Sequence, residues 1–275
     1  SNKTIAITGS KSETNRLLLL KALYRNIRIV NASGSDDSKV MQEAVATESK
    51  VVDVHHAGTA MRFLTAYFSL QEGQEVVLTG SQRMKERPVK VLVDALRNLG
   101  AGIEYLENEG FPPLKITGRH LRGGKVTVDA DISSQYISAL LLVAPKLQQG
   151  LEVTLKGGIT SMPYLEMTIA LLKQVGVNAT IYKDIICVKP LQEIMPISIT
   201  VESDWSSASY YYSNIALAKE GTQICLTSYK ENSLQGDSAL TQIYQMLGVV
   251  TEFKDEMIIL RKIKIKTFNI RLDLN

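Results

Sequence analysis

Three amphipathic stretches of this chain end in an apolar residue followed by glycine, and each leads into two short alternating runs. Residues 93–100 (VDALRNLG) precede runs at 103–106 and 114–117, residues 170–176 (ALLKQVG) precede 179–182 and 185–188, and residues 241–248 (TQIYQMLG) precede 249–253 and 257–260. The closing glycines, Gly100, Gly176 and Gly248, lie 76 and 72 residues apart. Glycine just past the last periodic residue stops a helix, and short period-two runs are strands. In the clearest copy a strand at 125–128, a helix at 135–143, a strand at 151–155 and a helix at 164–175 come before the hairpin. The next copy runs from a strand at Ile197 through a helix at 208–217, a strand at 223–227 and a helix at 240–247. Residues 51–54 and 75–79 fit a looser, earlier copy. Repeated βαβαββ units define an α/β fold class.

The repeat carries an expectation about the end of the chain. Residues 266–273 alternate like the first strand of another unit, as 128–131 and 201–204 resemble strand ends that run on into helices. No helix follows before Asn275, so the sequence reads as truncated.

Composition narrows the partners. A formal charge of +3 over 275 residues, with no dense Lys/Arg stripe, argues against nucleic acid and leaves small anions open. The run at 262–266 alternates like a strand with one wet face. The longest apolar stretch, 139–144, is far too short to span a bilayer. Cys187 and Cys225 sit in apolar alternating runs and read as two buried thiols of a reducing compartment, not a disulfide. The three histidines offer no zinc-ligand spacing, so no metal is expected. The expectation is a cytoplasmic monomer with neither nucleic-acid nor membrane partner.

In α/β sheets ligands gather where strands end and helices begin. Between a strand at 4–8 and an apolar helix from Leu17 lies GSKSETNR (9–16), with Lys11, Arg16 and three hydroxyls in eight residues. The first N–H groups of a helix lack partners within it, and its dipole favours negative charge. Two cations there suit a phosphate better than a carboxylate. A nucleotide P-loop would need glycine before its lysine, where this chain has Ser10. Other junctions carry similar donors: 35–38, 56–62, 83–88, 131–135, 158–164 and 204–209. Singly, Ser133-Ser134 reads as an N-cap, Arg83 to Arg87 as a solvated first turn, and Pro88 as an N1 proline. His55 and His56 read as polar surface. Together, one fold edge would collect Lys11, Arg16, Arg62 and Arg87, enough for more than one phosphate or carboxylate.

At these junctions the chain resembles the 3-phosphoshikimate 1-carboxyvinyltransferases (EPSP synthases). The matching segments are GSKSETNR (9–16), SDD (35–37), AGTAMR (57–62), LTGSQRMKERPVKVLVDALRNLGA (78–101), ISSQYISALLL (132–142), SMPYLEMT (161–168), SDWSSASYY (203–211) and NSLQGD (232–237). The resemblance implies an inside-out α/β barrel architecture, two domains of three βαβαββ units with the site in the cleft between them. It gives a complete domain at 11–199 with the shikimate-phosphate half-site, and an incomplete second domain from 1–10 and 200–275. The implied reaction transfers the enolpyruvyl group of phosphoenolpyruvate to the 5-hydroxyl of shikimate 3-phosphate, through a tetrahedral intermediate, with no metal or organic cofactor.

By motif, the resemblance assigns Lys11, Ser12, Arg16, Ser133, Ser134, Gln135, Ser161 and Tyr164 to shikimate 3-phosphate. It assigns Lys11, Gly58, Arg87 and Gln135 to phosphoenolpyruvate, with Lys11 also serving the proton and charge network. Its acid/base Asp falls just past Asn275, so turnover by these 275 residues is not expected. The chain departs from the pattern at His56, usually Asn, at Phe63, often Pro, and at Trp205, usually small. Three alternatives stay open. A UDP-N-acetylglucosamine enolpyruvyl transferase would want a reactive cysteine in a mobile loop. An RNA 3′-phosphate cyclase would need a catalytic histidine, for which His120 is the isolated candidate. A pseudoenzyme or fragment would simply bind a phosphorylated ligand.

Overall fold

A computed structural model describes residues 3–129, 133–158 and 161–264. Its first elements are β1 (Lys3–Ile5), α1 (Lys11–Leu23), β2 (Ile27–Val30), α2 (Asp36–Ala46), β3 (Val51–Asp53), α3 (Gly58–Ser69) and β4 (Glu75–Thr79). Then come α4 (Gln82–Lys85), α5 (Lys90–Asn98), β5 (Gly102–Tyr105), β6 (Leu114–Thr117), β7 (Gly124–Asp129), α6 (Ser134–Val143) and β8 (Leu151–Lys156). The remainder is α7 (Met162–Gln174), β9 (Ala179–Tyr182), β10 (Ile185–Val188), β11 (Ile197–Thr200), α8 (Trp205–Ala216), β12 (Gln223–Thr227), α9 (Leu240–Met246), β13 (Val249–Lys254) and β14 (Met257–Lys262). The expected strand at 266–273 lies outside the described residues.

The chain divides into two compact units, Gly9–Val201 and Ser1–Thr8 with Glu202–Asn275. Within the larger unit one sheet has the order β7-β8-β10-β9 and another β3-β4-β6-β5. Each pairs its first two strands in parallel and closes with an antiparallel hairpin whose second strand lies inside. The smaller unit repeats this with β1-β12-β14-β13. The glycines that end α5, the α7 helix and α9 all take positive φ, 101° at Gly100, 93° at Gly176 and 77° at Gly248. That left-handed turn is what releases each helix into its hairpin.

One expected pairing is different. The run at Ile197 does not open the copy that follows it. β11 instead lies parallel to β2, with Ile197 opposite Ile27 and Thr200 opposite Val30, inside the larger unit. The place beside β12 is taken by β1, with Lys3 opposite Ile224 and Ile5 opposite Leu226. Ile199 is 1% exposed and Ile27 2%, so burial of this alternate-residue face anchors β11 before the chain crosses at 201–202.

Two helices, α3 and α6, form the interior of the larger unit. All of α3 except Thr59 and all of α6 except Gln135 are buried. A helix covered on every side belongs inside a fold. The strands alternate instead, as in β8, whose Leu151, Val153 and Leu155 point inward. Leu140, Leu141 and Leu142 of α6 are fully buried, each contributing about 1.5–3 kcal/mol of hydrophobic stabilisation. The smaller unit has its own core, in which Trp205 stacks near Tyr212 and meets Tyr229 edge-on at 4.9 Å.

Candidate functional site

The helix α1 starts at Lys11, six residues before the expected Leu17, so the cationic motif stands on its first turns and not in a loop before it. Ser10 is the N-cap, and its carbonyl accepts from Thr14 N at 3.0 Å, while no side chain caps the helix. α3, preceded by Ala57, and α7, preceded by Ser161 at φ 65°, also begin without a side-chain cap. By contrast Ser35, Ser81, Ser133 and Asp204 do cap α2, α4, α6 and α8. Uncapped first turns keep their N–H groups for another acceptor.

Arg16 is 3% exposed and ties three helices together. Its Nε donates to Thr168 Oγ1 at 2.7 Å, Nη1 to Ser12 O at 2.8 Å, and Nη2 to Ser138 Oγ at 3.2 Å and Tyr164 O at 3.3 Å. Its guanidinium carbon lies 5.6 Å from the Phe63 ring centre and 5.8 Å from that of Tyr164. Burial lowers its pKa to about 10, against the upward pull of Tyr164 and Glu13. It therefore stays charged at neutral pH. Lys11 is half exposed and reaches Asp37 of the SDD segment at 3.8 Å, a contact that leaves its ammonium open to solvent.

On α6, Ser133 Oγ accepts from Gln135 N at 3.3 Å, and Ser134 is 7% exposed. The Gln135 amide reaches across to Thr59 Oγ1 at 3.4 Å, joining the first turn of α6 to that of α3. Ser161 is exposed, and the Tyr164 ring leans over Arg16 with 44% of the residue exposed. The neighbouring positions Asp131, Ile132, Ile159 and Thr160 lie outside the described residues. A Cβ added to Gly58 would stand 2.4 Å from Arg87 Nη1. The guanidinium thus occupies the space that the missing side chain leaves at the start of α3.

The structure brings the sequence-selected residues of α1, α3, α6 and α7 and of the 87–88 link into one region of the larger unit. Four early helical turns there put partial positive charge beside Lys11, Arg16 and Arg87. One expected cation is used differently. Arg62 is 4% exposed; its Nη1 donates to Gly58 O at 3.0 Å and its Nη2 to Pro88 O at 3.3 Å. Among the described residues it forms no ion pair, and its charge is met only by carbonyl oxygens, Met84 Sδ and Tyr136. Burial lowers its pKa, Tyr136 pulls it back up in part, and the nearby Arg87 adds a smaller downward push. Pro88 stands before the α5 N-cap Val89 and not at N1. Cys187 and Cys225 are free and only half-buried, because each lies on the outer face of its sheet.

Sequence reasoning did not single out Ser138, Thr168 or Tyr136, the side chains that hold the two buried guanidiniums. The usable signal was a hydroxyl among apolar residues, on α6 which is buried nearly all round and on the inward stripe of α7. Glu202 was likewise missed. It is 1% exposed and accepts from Trp205 Nε1 at 2.8 Å, Lys230 N at 2.9 Å, Ser233 Oγ and Gln235 Nε2. Gln235 Oε1 in turn accepts from Trp205 N at 3.0 Å, and Ser206 bonds Asp237, so the 203–211 and 232–237 segments meet in the smaller unit. Trp205 fills the core there and donates its indole N–H to this carboxylate. No group of three or more His, Cys, Asp or Glu among the described residues is placed to hold a metal ion.

Repeated βαβαββ units with cations at uncapped helix starts define an α/β protein suited to anionic small molecules. The family model for EPSP synthase (3-phosphoshikimate 1-carboxyvinyltransferase) matches residues 35–273. The chain is 45% identical over 260 residues to the 3-phosphoshikimate 1-carboxyvinyltransferase of Bacteroides fragilis strain YCH46, covering 94% of this chain and 63% of that one. It is 38% identical to the enzyme of the same name from Vibrio vulnificus strain YJ016, over 100% of this chain and 70% of the relative. An EPSP synthase structure from Acinetobacter baumannii superposes with a TM-score of 0.78 at 21% identity, covering 95% of this chain and 65% of that one. The chain belongs to the EPSP synthase family. It spans slightly under two thirds of the Bacteroides fragilis relative.

Proposed function

We propose that the Gly9–Val201 unit forms the shikimate 3-phosphate half-site, and part of the phosphoenolpyruvate site, of an enolpyruvyl transferase. The observation that carries this reading is the pair of buried guanidiniums, Arg16 and Arg62, at 3% and 4% exposure among uncapped helix starts. The buried Glu13 acts on Arg16 from the same helix, whereas Arg62 forms no ion pair among the described residues, and a fold that buries two guanidiniums beside one carboxylate gains from an anionic ligand.

In this reading Ser133, Ser134 and Ser161 hold the phosphate of shikimate 3-phosphate. Lys11, Ser12, Arg16 and Tyr164 face the rest of that molecule. Gly58 and Arg87 hold the phosphate of phosphoenolpyruvate, with Lys11 and Gln135 between the two. The 5-hydroxyl gives up its proton as its oxygen bonds to C2 of phosphoenolpyruvate, and C3 gains a proton as the C2=C3 double bond opens. The C2–O bond to phosphate then breaks as C3 loses a proton, which restores the C2=C3 double bond and leaves the product an enol ether. Positive groups fixed before the reaction stabilise the charge that builds on the departing phosphate. The reading includes a cytoplasmic monomer with small-molecule substrates. Among the described residues no helix is long and apolar enough to cross a membrane.

Titration calorimetry with shikimate 3-phosphate tests this. Heat of binding in the wild type that disappears in Arg16→Ala supports the assignment. Equal heats in both, no heat in either, or tighter binding of UDP-N-acetylglucosamine overturns it.

A further inference from the structure

The starts of α3 and α6 and the link between α4 and α5 meet at one carbonyl. Pro88 O accepts from the Tyr136 hydroxyl at 2.6 Å and from Arg62 Nη2 at 3.3 Å. The Arg62 guanidinium carbon stands 5.6 Å from the Tyr136 ring centre, and Nη1 also holds Gly58 O at 3.0 Å and approaches Met84 Sδ at 3.9 Å. Tyr136 and Arg62 are each 4% exposed. One buried guanidinium therefore ties the first residue of α3 to the residue that follows Arg87, and the residue that follows Gln135 clamps the same carbonyl from the other side.

The reach of Arg87 makes that carbonyl matter. Its guanidinium must fill the space over Gly58, within 2.4–3.0 Å of where a Cβ would stand. A long side chain with many rotamers holds such a place only when its backbone origin is fixed. Proline restricts its own φ and also the backbone of the residue before it, so fixing the Pro88 carbonyl leaves the Arg87 backbone little freedom.

We propose that Tyr136 and Arg62 are positioning residues that act through the Pro88 carbonyl to hold Arg87 over Gly58, ready for the phosphate of phosphoenolpyruvate. This rests on the site assignment above. Neither side chain touches substrate. Both set the geometry of one that does.

Tyr136→Phe removes a single hydroxyl and keeps the ring beneath Arg62. Phenylglyoxal labelling of Arg87, followed by peptide mass mapping, should become several-fold faster in this variant without any ligand present. Affinity for phosphoenolpyruvate should fall roughly 3- to 10-fold, the effect of one lost neutral hydrogen bond. Affinity for shikimate 3-phosphate should not change, and Tyr136→Phe should add nothing in an Arg87→Ala background. Arg62→Lys keeps the charge but cannot serve both carbonyls, and it should give the same pattern. It decides the matter should Tyr136→Phe fail to fold. Unchanged Arg87 labelling overturns the proposal, as does an equal affinity loss in the Arg87→Ala background or an equal loss for shikimate 3-phosphate. A wild type that binds neither ligand defeats the functional reading, while Arg87 labelling still decides the positioning.

Discussion

Gly58→Ala separates the stability of the fold from its proposed ligand chemistry. The added Cβ would lie 2.4 Å from Arg87 Nη1, 2.9 Å from Cζ and 3.0 Å from Nη2. Ordinary contacts to carbon are near 3.5 Å or longer, so the overlap is about 1 Å. The clashing atoms are the far end of a flexible side chain, and Arg87 can swing away without moving the backbone. Gly58 is the first residue of α3, and alanine there stabilises a helix by up to about 1 kcal/mol over glycine. The fold should therefore keep or slightly raise its melting temperature. Binding should suffer: displacing a charged donor from a phosphate costs about 1.5–3 kcal/mol, or roughly 10- to 150-fold in affinity. The assay is titration with phosphoenolpyruvate in saturating shikimate 3-phosphate, alongside thermal denaturation. Wild-type affinity in Gly58→Ala would refute the pairing of Gly58 with Arg87. A large fall in melting temperature would refute the idea that only the side chain must move.

Other consequences follow from the buried polar groups. Glu202→Gln replaces one carboxylate oxygen by an amide nitrogen among donors from Trp205, Lys230, Ser233 and Gln235, and should cost about 2–3 kcal/mol. Urea unfolding followed by the fluorescence of Trp205, the chain's single tryptophan, checks this; an unchanged midpoint contradicts it. Alkaline stability should decline as well. Burial raises the pKa of Tyr212 and of Tyr105 to about 12, and raises Tyr24 and Tyr229 further still. A folded-state pKa above the unfolded value of 10 gives stability that is complete below pH 10. It is lost as pH rises toward 12, by about 1.4 kcal/mol per pH unit for the well-buried Tyr212 and by less for the more exposed Tyr105. Urea midpoints should stay level up to about pH 10 and then fall, less steeply in Tyr212→Phe. A midpoint unchanged at pH 11.5 would contradict the burial of these phenols.

What the sequence makes legible here is local. Gly100, Gly176 and Gly248 mark helix ends because only a left-handed residue turns the chain there, and the alternation at 179–182, 185–188 and 223–227 matches β9, β10 and β12 residue for residue. The partner of a strand is another matter. The pattern at Ile197 tells which residues face inward, and nothing in a period of two tells it to pair with Ile27, 170 residues away. The cations show the same division. Lys11, Arg16, Arg62 and Arg87 are alike as charges in sequence. Structure separates Lys11, half exposed, from Arg62, which spends its donors on Gly58 O and Pro88 O. The acceptors that make this distinction are backbone carbonyls, which every residue carries and no motif reveals.

We assign shikimate 3-phosphate to the early turns of α1, α6 and α7. A crystal structure of the chain grown with that ligand measures it most directly. Phosphate oxygens should lie within hydrogen-bond distance of Ser133, Ser134 and Ser161, with the rest of the molecule against Lys11, Arg16 and Tyr164. Ligand density elsewhere on the protein, or an empty region at these residues under saturating shikimate 3-phosphate, would contradict it.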